Sequence, residues 1–405
     1  VVQEVYTAAA VCAYATGKFD EAEAYFAAIL EMVRSPLKRA RIHRARVDFY
    51  IHASRREDAI RAAMEGLRLV GVSLPRDPGP AAVAAKIMNA RLRLIGRTPD
   101  ELFDAPLMKK EEPRIALGIL ISLMNIAYSE SPEFSGYVVG TMMNLTLRYG
   151  NSDESAYAYA IYGLFVGAGF GDYRRAREFG ELSLRLIDRA HSPFLRGRCY
   201  FLMACLLNHW RQPFRTNHRY LDECYTSAMG SGDLHYASYA LTQRTMLAVI
   251  GGASLETVAT GAEEYGRFTS AIQYEDITPY FVCAQHYCRA LRGETSHPLA
   301  FGSPEWNEEE YVHWLERSSF APARTWYWIL KLHVAVLCRS YQEATEIAER
   351  MQAILYAMTG QVIEPDYWLY TALAIAGLPA SQRNGQRVRL FRKARKRLAM
   401  WAAGA

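Results

Sequence analysis

The chain has 405 residues, a formal net charge of +5, 51% hydrophobic residues and 22% charged residues. That balance excludes a disordered chain, and only 27 glycines and 16 prolines disfavour a β-rich or collagen-like protein. The length suits two or three ordinary domains or one elongated repeat array, and no stretch reaches the roughly 18 apolar residues that span a bilayer.

Helical periodicity begins at once. Val1 to Cys12 reads as a helix already under way without an initiator methionine, as in an excerpt of a longer chain. Ala22, Phe26, Ile29, Leu30 and Val33 fall on one helical face. Helix starts are marked by Ser35-Pro36, Ser192-Pro193 and Ser303-Pro304, each a capping hydroxyl before a proline at the first helical position. Thr98 with Glu101, and Asn151 with Glu154, have capping-box spacing.

A local phrase recurs along the chain: a tight turn, an aromatic, polar residues and an alanine. It stands at Thr16-Gly17-Lys18-Phe19-Asp20-Glu21-Ala22 and at Gly171-Asp172-Tyr173-Arg174-Arg175-Ala176. It returns without glycine at Arg339-Ser340-Tyr341-Gln342-Glu343-Ala344, and weakly at Ala53-Ser54 through Ala59. The small residue turns the chain, the aromatic plugs the top of a helix pair, and the alanine lets two helices approach closely. These are traits of tetratricopeptide-type helix pairs, whose period is about 34 residues; the spacings here are longer, so the array is degenerate. The expected fold is all-α, a solenoid or superhelix of degenerate helix pairs that bury their faces by stacking on one another. The expected divisions are first helix pairs over 1–73 and a proline-rich hinge or insertion with a short helix over 74–113. The main array follows over 114–380, then a basic amphipathic helix over 381–405 that begins a further repeat. The prolines between Leu74 and Pro80 suggest a pivot.

Catalytic motifs do not emerge. The sequence has no phosphate loop, HExxH, CxxC or GxSxG, and Gly167 to Gly171 reads as a turn, not a nucleotide loop. Cys283, His286 and Cys288 lack zinc spacing, and the seven scattered cysteines read as reduced, buried thiols of a cytoplasmic protein. Two polar constellations are candidate partner-binding residues, with a packing role as the competing reading. Asn208, His209, Trp210 and Arg211 end an apolar helix, where Pro213 stops it. Tyr236, Tyr239, Gln243 and Arg244 lie on adjacent turns of a later one.

The strongest charge signal spans residues 383 to 397, with eight basic residues and no acidic ones: Arg383, Arg387, Arg389, Arg392, Lys393, Arg395, Lys396 and Arg397. Val388, Phe391, Ala394, Leu398 and Trp401 give the same stretch an apolar face. Such a helix suits an anionic membrane, an acidic partner or nucleic acid, or packs as part of the next repeat. The rest of the chain is slightly acidic, so no general affinity for nucleic acid follows from the total charge.

The succession of phrases resembles a known family. Val33-Arg34-Ser35-Pro36-Leu37 precedes Glu65-Gly66-Leu67-Arg68-Leu69. Then come Gly150-Asn151-Ser152, Gly171-Asp172-Tyr173, Asn208-His209-Trp210-Arg211 and Gly232-Asp233-Leu234 with Tyr236-Ala237-Ser238-Tyr239. Together they are similar to the tetratricopeptide-like helical region of large bacterial signalling proteins with an AAA/STAND-type ATPase. The resemblance covers most of the chain and departs most between Glu305 and Pro379. It implies a non-catalytic sensor or scaffold segment, flanked in the parent proteins by serine/threonine kinase, GAF and histidine-kinase modules. No cofactor is expected in this segment, ATP belonging to the flanking modules. The expected partner is a protein, a peptide, a small effector or those modules, and the location cytoplasmic. The alternative is an independent adaptor whose basic C-terminal helix binds nucleic acid or anionic membrane.

Overall fold

The computed structural model describes the chain except residues 1–4, 7–8, 11, 14–17, 53–54, 191, 273, 275–276, 304–305, 318–320 and 405, and the side chains of 52, 129 and 404. The turn at Thr16-Gly17, the Ala53-Ser54 pair and Pro304 therefore lie outside the described residues. The architecture is all-α: among the described residues there are helices and two isolated β-bridges, and no strand. No helix among them is long and apolar enough to cross a membrane.

Two compact units divide the chain, residues 1–162 with 185–190, and residues 163–184 with 191–405. In the first, α1 (Phe19–Met32), α2 (Pro36–His52) and α3 (Arg56–Leu69) pack in sequence. Then come α4 (Pro80–Arg93), the short α5 (Pro99–Phe103), α6 (Glu111–Glu130) and α7 (Pro132–Tyr149). The helix α6 packs on α2, α3 and α7, and α4 lies along α7. Thr98 and Glu101 form the expected capping box, with Glu101 N–H to Thr98 Oγ1 at 3.2 Å and Thr98 N–H to Glu101 Oε2 at 2.8 Å. The proline-rich segment before α4 is fastened. Leu74 is buried, and Arg76 donates both to Glu57 at 2.8 Å and to Glu130 at 2.6 Å.

Asn151 does not cap α8 (Asp153–Leu164), contrary to the capping-box spacing. Its amide instead donates to the Leu102 carbonyl at 2.7 Å, and its backbone pairs with Pro106 and Met108. Gly150 makes this approach possible: its φ is +95°, and a Cβ there would lie 2.0 Å from the Pro106 oxygen.

In the second unit the helices run α9 (Tyr173–Arg189), whose last turn belongs to the first unit, α10 (Pro193–Leu202), α11 (Asn217–Ser231), α12 (Leu234–Ile250), α13 (Leu255–Ala271) and α14 (Thr278–Arg292). Then follow α15 (Glu308–Arg317), α16 (Ala321–Leu337), α17 (Tyr341–Met351), α18 (Glu364–Gly377) and α19 (Gly385–Gly404). Most pack on their sequence neighbours, the arrangement of stacked helix pairs. The Ser192-Pro193 start is formed as expected, with Leu195 N–H to Ser192 Oγ at 3.4 Å. The helix after Ser303 begins only at Glu308.

The recurring phrase acts as expected at Gly171 and Tyr341, whereas in the first copy Phe19 is 43% exposed, meeting Phe49 edge-on, and is not a buried plug. The turn expected over Gly167 to Gly171 is confined to Gly171, because Phe165–Gly169 continue α8 as a π-helical turn; Gly171 turns the chain at φ +73°, Asp172 accepts from the Arg175 N–H at 3.0 Å, and Tyr173 and Ala176 are buried. Ala176 packs where a Cβ on Gly167 would come within 3.1 Å of it. In the copy without glycine, Arg339 takes the left-handed turn itself, at φ +60°. The Tyr341 ring then fills the space above Gly377, where a Cβ would sit 2.4 Å from it.

Candidate functional site

The residues singled out at 208–211 sit where the helix changes gauge. α10 widens into a π-helical turn over Met203–Leu207 and then tightens into a 3-10 turn over Asn208–Trp210. Asn208 is fully buried, and its amide donates to Thr216 Oγ1 at 2.7 Å and to Asn217 Oδ1 at 2.6 Å. Both His209 ring nitrogens are sheltered, and burial lowers its pKa to about 4. Trp210 donates to the Leu206 carbonyl, stacks on Tyr173 at 4.8 Å and packs at a tilt against Trp401 at 5.2 Å. Of the four, Arg211 alone is exposed. The cluster is an internal joint between the two ends of the second unit rather than an open pocket.

The second constellation is also packed. Tyr236 is buried against Phe201 at 5.3 Å, and Tyr239 receives a hydrogen bond from the Tyr274 hydroxyl at 3.1 Å. Gln243 is buried, and Arg244 pairs with Asp222 at 2.5 Å over the Tyr225 ring. Beneath them Arg198 and Asp233, 4% and 5% exposed, form a buried ion pair at 2.9 Å. Cys283 and Cys288 are buried on α14, and His286 stacks on Trp306 at 3.9 Å. Cys12 and Cys338 depart from the expected burial of the thiols and are exposed.

The basic run is divided by the fold. Arg383 donates to the Ala376 and Leu378 carbonyls and closes the end of α18, while Arg387 pairs with Glu349 at 3.0 Å. Arg397 lies half-buried beside Trp401. Arg389, Arg392, Lys393, Arg395 and Lys396 are exposed and form no ion pair among the described residues. The inward stripe of α19 includes Leu390, which the spacing argument passed over; Leu390 and Ala394 are its most buried side chains.

A groove of about 470 Å³ between α15, α16 and α17 is the more open feature. Its base is fixed by Glu308 at the start of α15, which accepts from Tyr327 Oη at 2.6 Å, Lys331 Nζ at 3.0 Å and the Phe301 N–H at 2.8 Å. Burial pushes the Glu308 carboxyl up, but the Tyr327 hydroxyl, the Lys331 charge and the Phe301 N–H together hold it below the usual carboxylate range. Val312, Trp328 and Ile347 supply apolar walls. Around them stand Glu309, Glu316, Glu343 and Glu346, none in an ion pair among the described residues. Lys331 is paired with Glu308, so Arg350, lying 4.6 Å over the Trp328 ring, is the one Lys or Arg among the described lining residues left opposing the rim. The groove is acidic with an aromatic wall. The sequence signal for it was the glutamate run at 308–310 and the 343/346 pair, which no local rule joins. A further cleft of about 660 Å³ beside α13 and α14 carries mixed charges, with Glu256 and Glu263 facing Arg289 and Arg292.

No family model matches the chain, and comparison with curated proteins finds no relative.

Proposed function

We propose that this chain is a non-catalytic helical-repeat segment that serves as sensor or scaffold in a larger bacterial signalling protein. Its acidic groove receives a basic segment of a protein partner or of a flanking module, and occupancy biases the activity of those modules. The observation that supports this most is the set of four carboxylates around Trp328, Glu309, Glu316, Glu343 and Glu346, none of them in an ion pair among the described residues. Long cationic side chains suit such a site: their stems cover the apolar wall while their charges meet the rim. ATP binding and turnover belong to the flanking modules of the resembled family, and the location is cytoplasmic in this reading. The test is hydrogen exchange on the whole chain with a lysine- and arginine-rich helical peptide. Protection confined to 308–350 supports the reading, and protection elsewhere or nowhere overturns it.

A second reading rests on the five exposed cations of α19, which suit an anionic membrane or nucleic acid. Removal of the whole helix is a poor test, because Trp401 is part of the joint at Tyr173 and Trp210. Neutralising Arg392, Lys393, Arg395 and Lys396 to glutamine keeps that joint. Unchanged retention on anionic vesicles and on duplex DNA would reject this reading.

A further inference from the structure

We propose a second, independent site in the first unit: a pocket for the phosphate group of a small phosphorylated metabolite. The end of α3, α4, the start of α6 and α7 enclose a cleft of about 490 Å³. That size falls within the range of small-ligand sites and is short for an extended peptide. Three cations line it, Lys86, Lys110 and Arg148, against one carboxylate, Glu112.

None of these cations forms an ion pair among the described residues. Each rests on an aromatic face instead. Lys86 Nζ lies 5.1 Å from the Tyr137 ring centre, Lys110 Nζ lies 5.7 Å from the Tyr149 ring centre, and the Arg148 guanidinium lies 5.2 Å from that same ring. Two like charges thus share one ring. Such a ring contact holds an exposed cation only weakly. A dianion held in the cleft gains charge-assisted hydrogen bonds from the cations that line it.

The acidic residue nearest in sequence, Glu111, is engaged elsewhere with Arg41. The first turn of α6 borders the cleft, and its N-cap residue, Lys110, makes no side-chain cap; Pro113 has no N–H, so only the Glu111 and Glu112 N–H groups of that turn add to the positive field. Thr141 and Tyr137 line the inner wall, and Glu112 is an acceptor for a ligand hydroxyl. The scaffold is stiff where it matters. Asn144 donates to the Lys86 carbonyl at 2.9 Å and to the Gly140 carbonyl at 2.7 Å, and Gly140 lets α4 approach so closely that a Cβ would meet Lys86 Cβ at 2.8 Å.

The site does not depend on the acidic groove, and the two fail separately, since basic-peptide binding and phosphate binding are read by different probes. The experiment is calorimetric titration of the whole chain with ribose 5-phosphate, pyrophosphate, ribose and a phosphoserine peptide. Both small phosphate compounds are expected to bind, more weakly at high salt, and ribose is not. Lys110→Gln/Arg148→Gln weakens binding by at least ~10-fold with an unchanged thermal midpoint, and Lys109→Gln, at a neighbouring exposed lysine outside the cleft, leaves it as in the wild type. If the double variant fails to fold, Lys110→Gln alone at its exposed position carries the test, with a several-fold loss. The proposal is overturned if neither small phosphate binds, if ribose binds equally, if the substitutions change nothing, or if only the phosphoserine peptide binds.

Discussion

Trp401 donates its indole N–H to the Tyr173 hydroxyl at 2.7 Å, across 228 positions of sequence. Trp210 lies between the two rings, so the last helix of the second unit is joined to the turn that opens it. Gly360 adds to the same joint, because its bare backbone lies against Leu164 and Leu206. The basic helix is therefore a structural closure that also displays charge, rather than a free tail. Trp401→Ala removes the ring contact and the bond and is expected to cost about 2–3 kcal/mol, while Tyr173→Phe removes the bond alone at about 1 kcal/mol. Urea unfolding checks both; equal stability of Trp401→Ala and the wild type would show that α19 does not close the unit.

Gly360 has φ +81°, and a Cβ on it would lie 2.3 Å from Leu164 Cδ1. Gly360→Ala should destabilise by roughly 2 kcal/mol or more, from backbone strain and overpacking together. Adding Leu164→Ala relieves the overpacking, so the double variant costs less than the sum of the singles. Additive losses in a denaturant cycle would contradict the close approach.

The Arg198–Asp233 pair makes an asymmetric prediction. Asp233 also caps α12 by accepting from the Tyr236 N–H. Arg198→Met strands a buried carboxylate and should cost about 3–5 kcal/mol. Arg198→Met/Asp233→Asn keeps a capping oxygen and should recover much of that loss. A double variant no more stable than Arg198→Met sinks the idea.

Acid sensitivity follows from His209 and Asp366. Burial holds the folded His209 at about 4 against an ordinary 6.5, so between those values the unfolded state binds more protons and stability falls as pH falls. Asp366, raised by burial to about 6, acts in the opposite direction as pH rises through 4 to 6. His43, also lowered to about 4 by burial, adds to the His209 effect while Asp366 opposes both, so His209 is isolated by difference. His209→Asn should gain on the wild type as pH drops from 7 to 4.5, by about 1.4 kcal/mol per unit once below 6.5. A constant difference across that range contradicts the assignment.

How much of this was legible follows from the range of each interaction. The helix pairs, the Thr98 capping box and the turn at Gly171 were readable because they depend on residues within four positions. Asn208 was not, because the π turn before it breaks the 3.6-residue phase that places polar residues outward. Asn151 was misplaced for a similar reason: its spacing to Glu154 is local, but its true partner, Leu102, is 49 positions away. The groove joins glutamates from two helices separated by α16, and the cationic cleft joins four segments, so neither has a local signature. The groove also lies within 305–379, where the sequence departs most from the resembled family.

The scaffold reading meets its most direct test in the affinity of the whole chain for a fluorescein-labelled lysine- and arginine-rich helical peptide. Anisotropy is read at low and high salt for the wild type and for Glu309→Lys/Glu316→Lys/Glu346→Lys. The expected result is saturable binding that weakens with salt, at least ~10-fold weaker in the charge-reversed variant, with a glutamate-rich control peptide not retained. Equal affinity of the variant and the wild type, or equal binding of the acidic peptide, contradicts it.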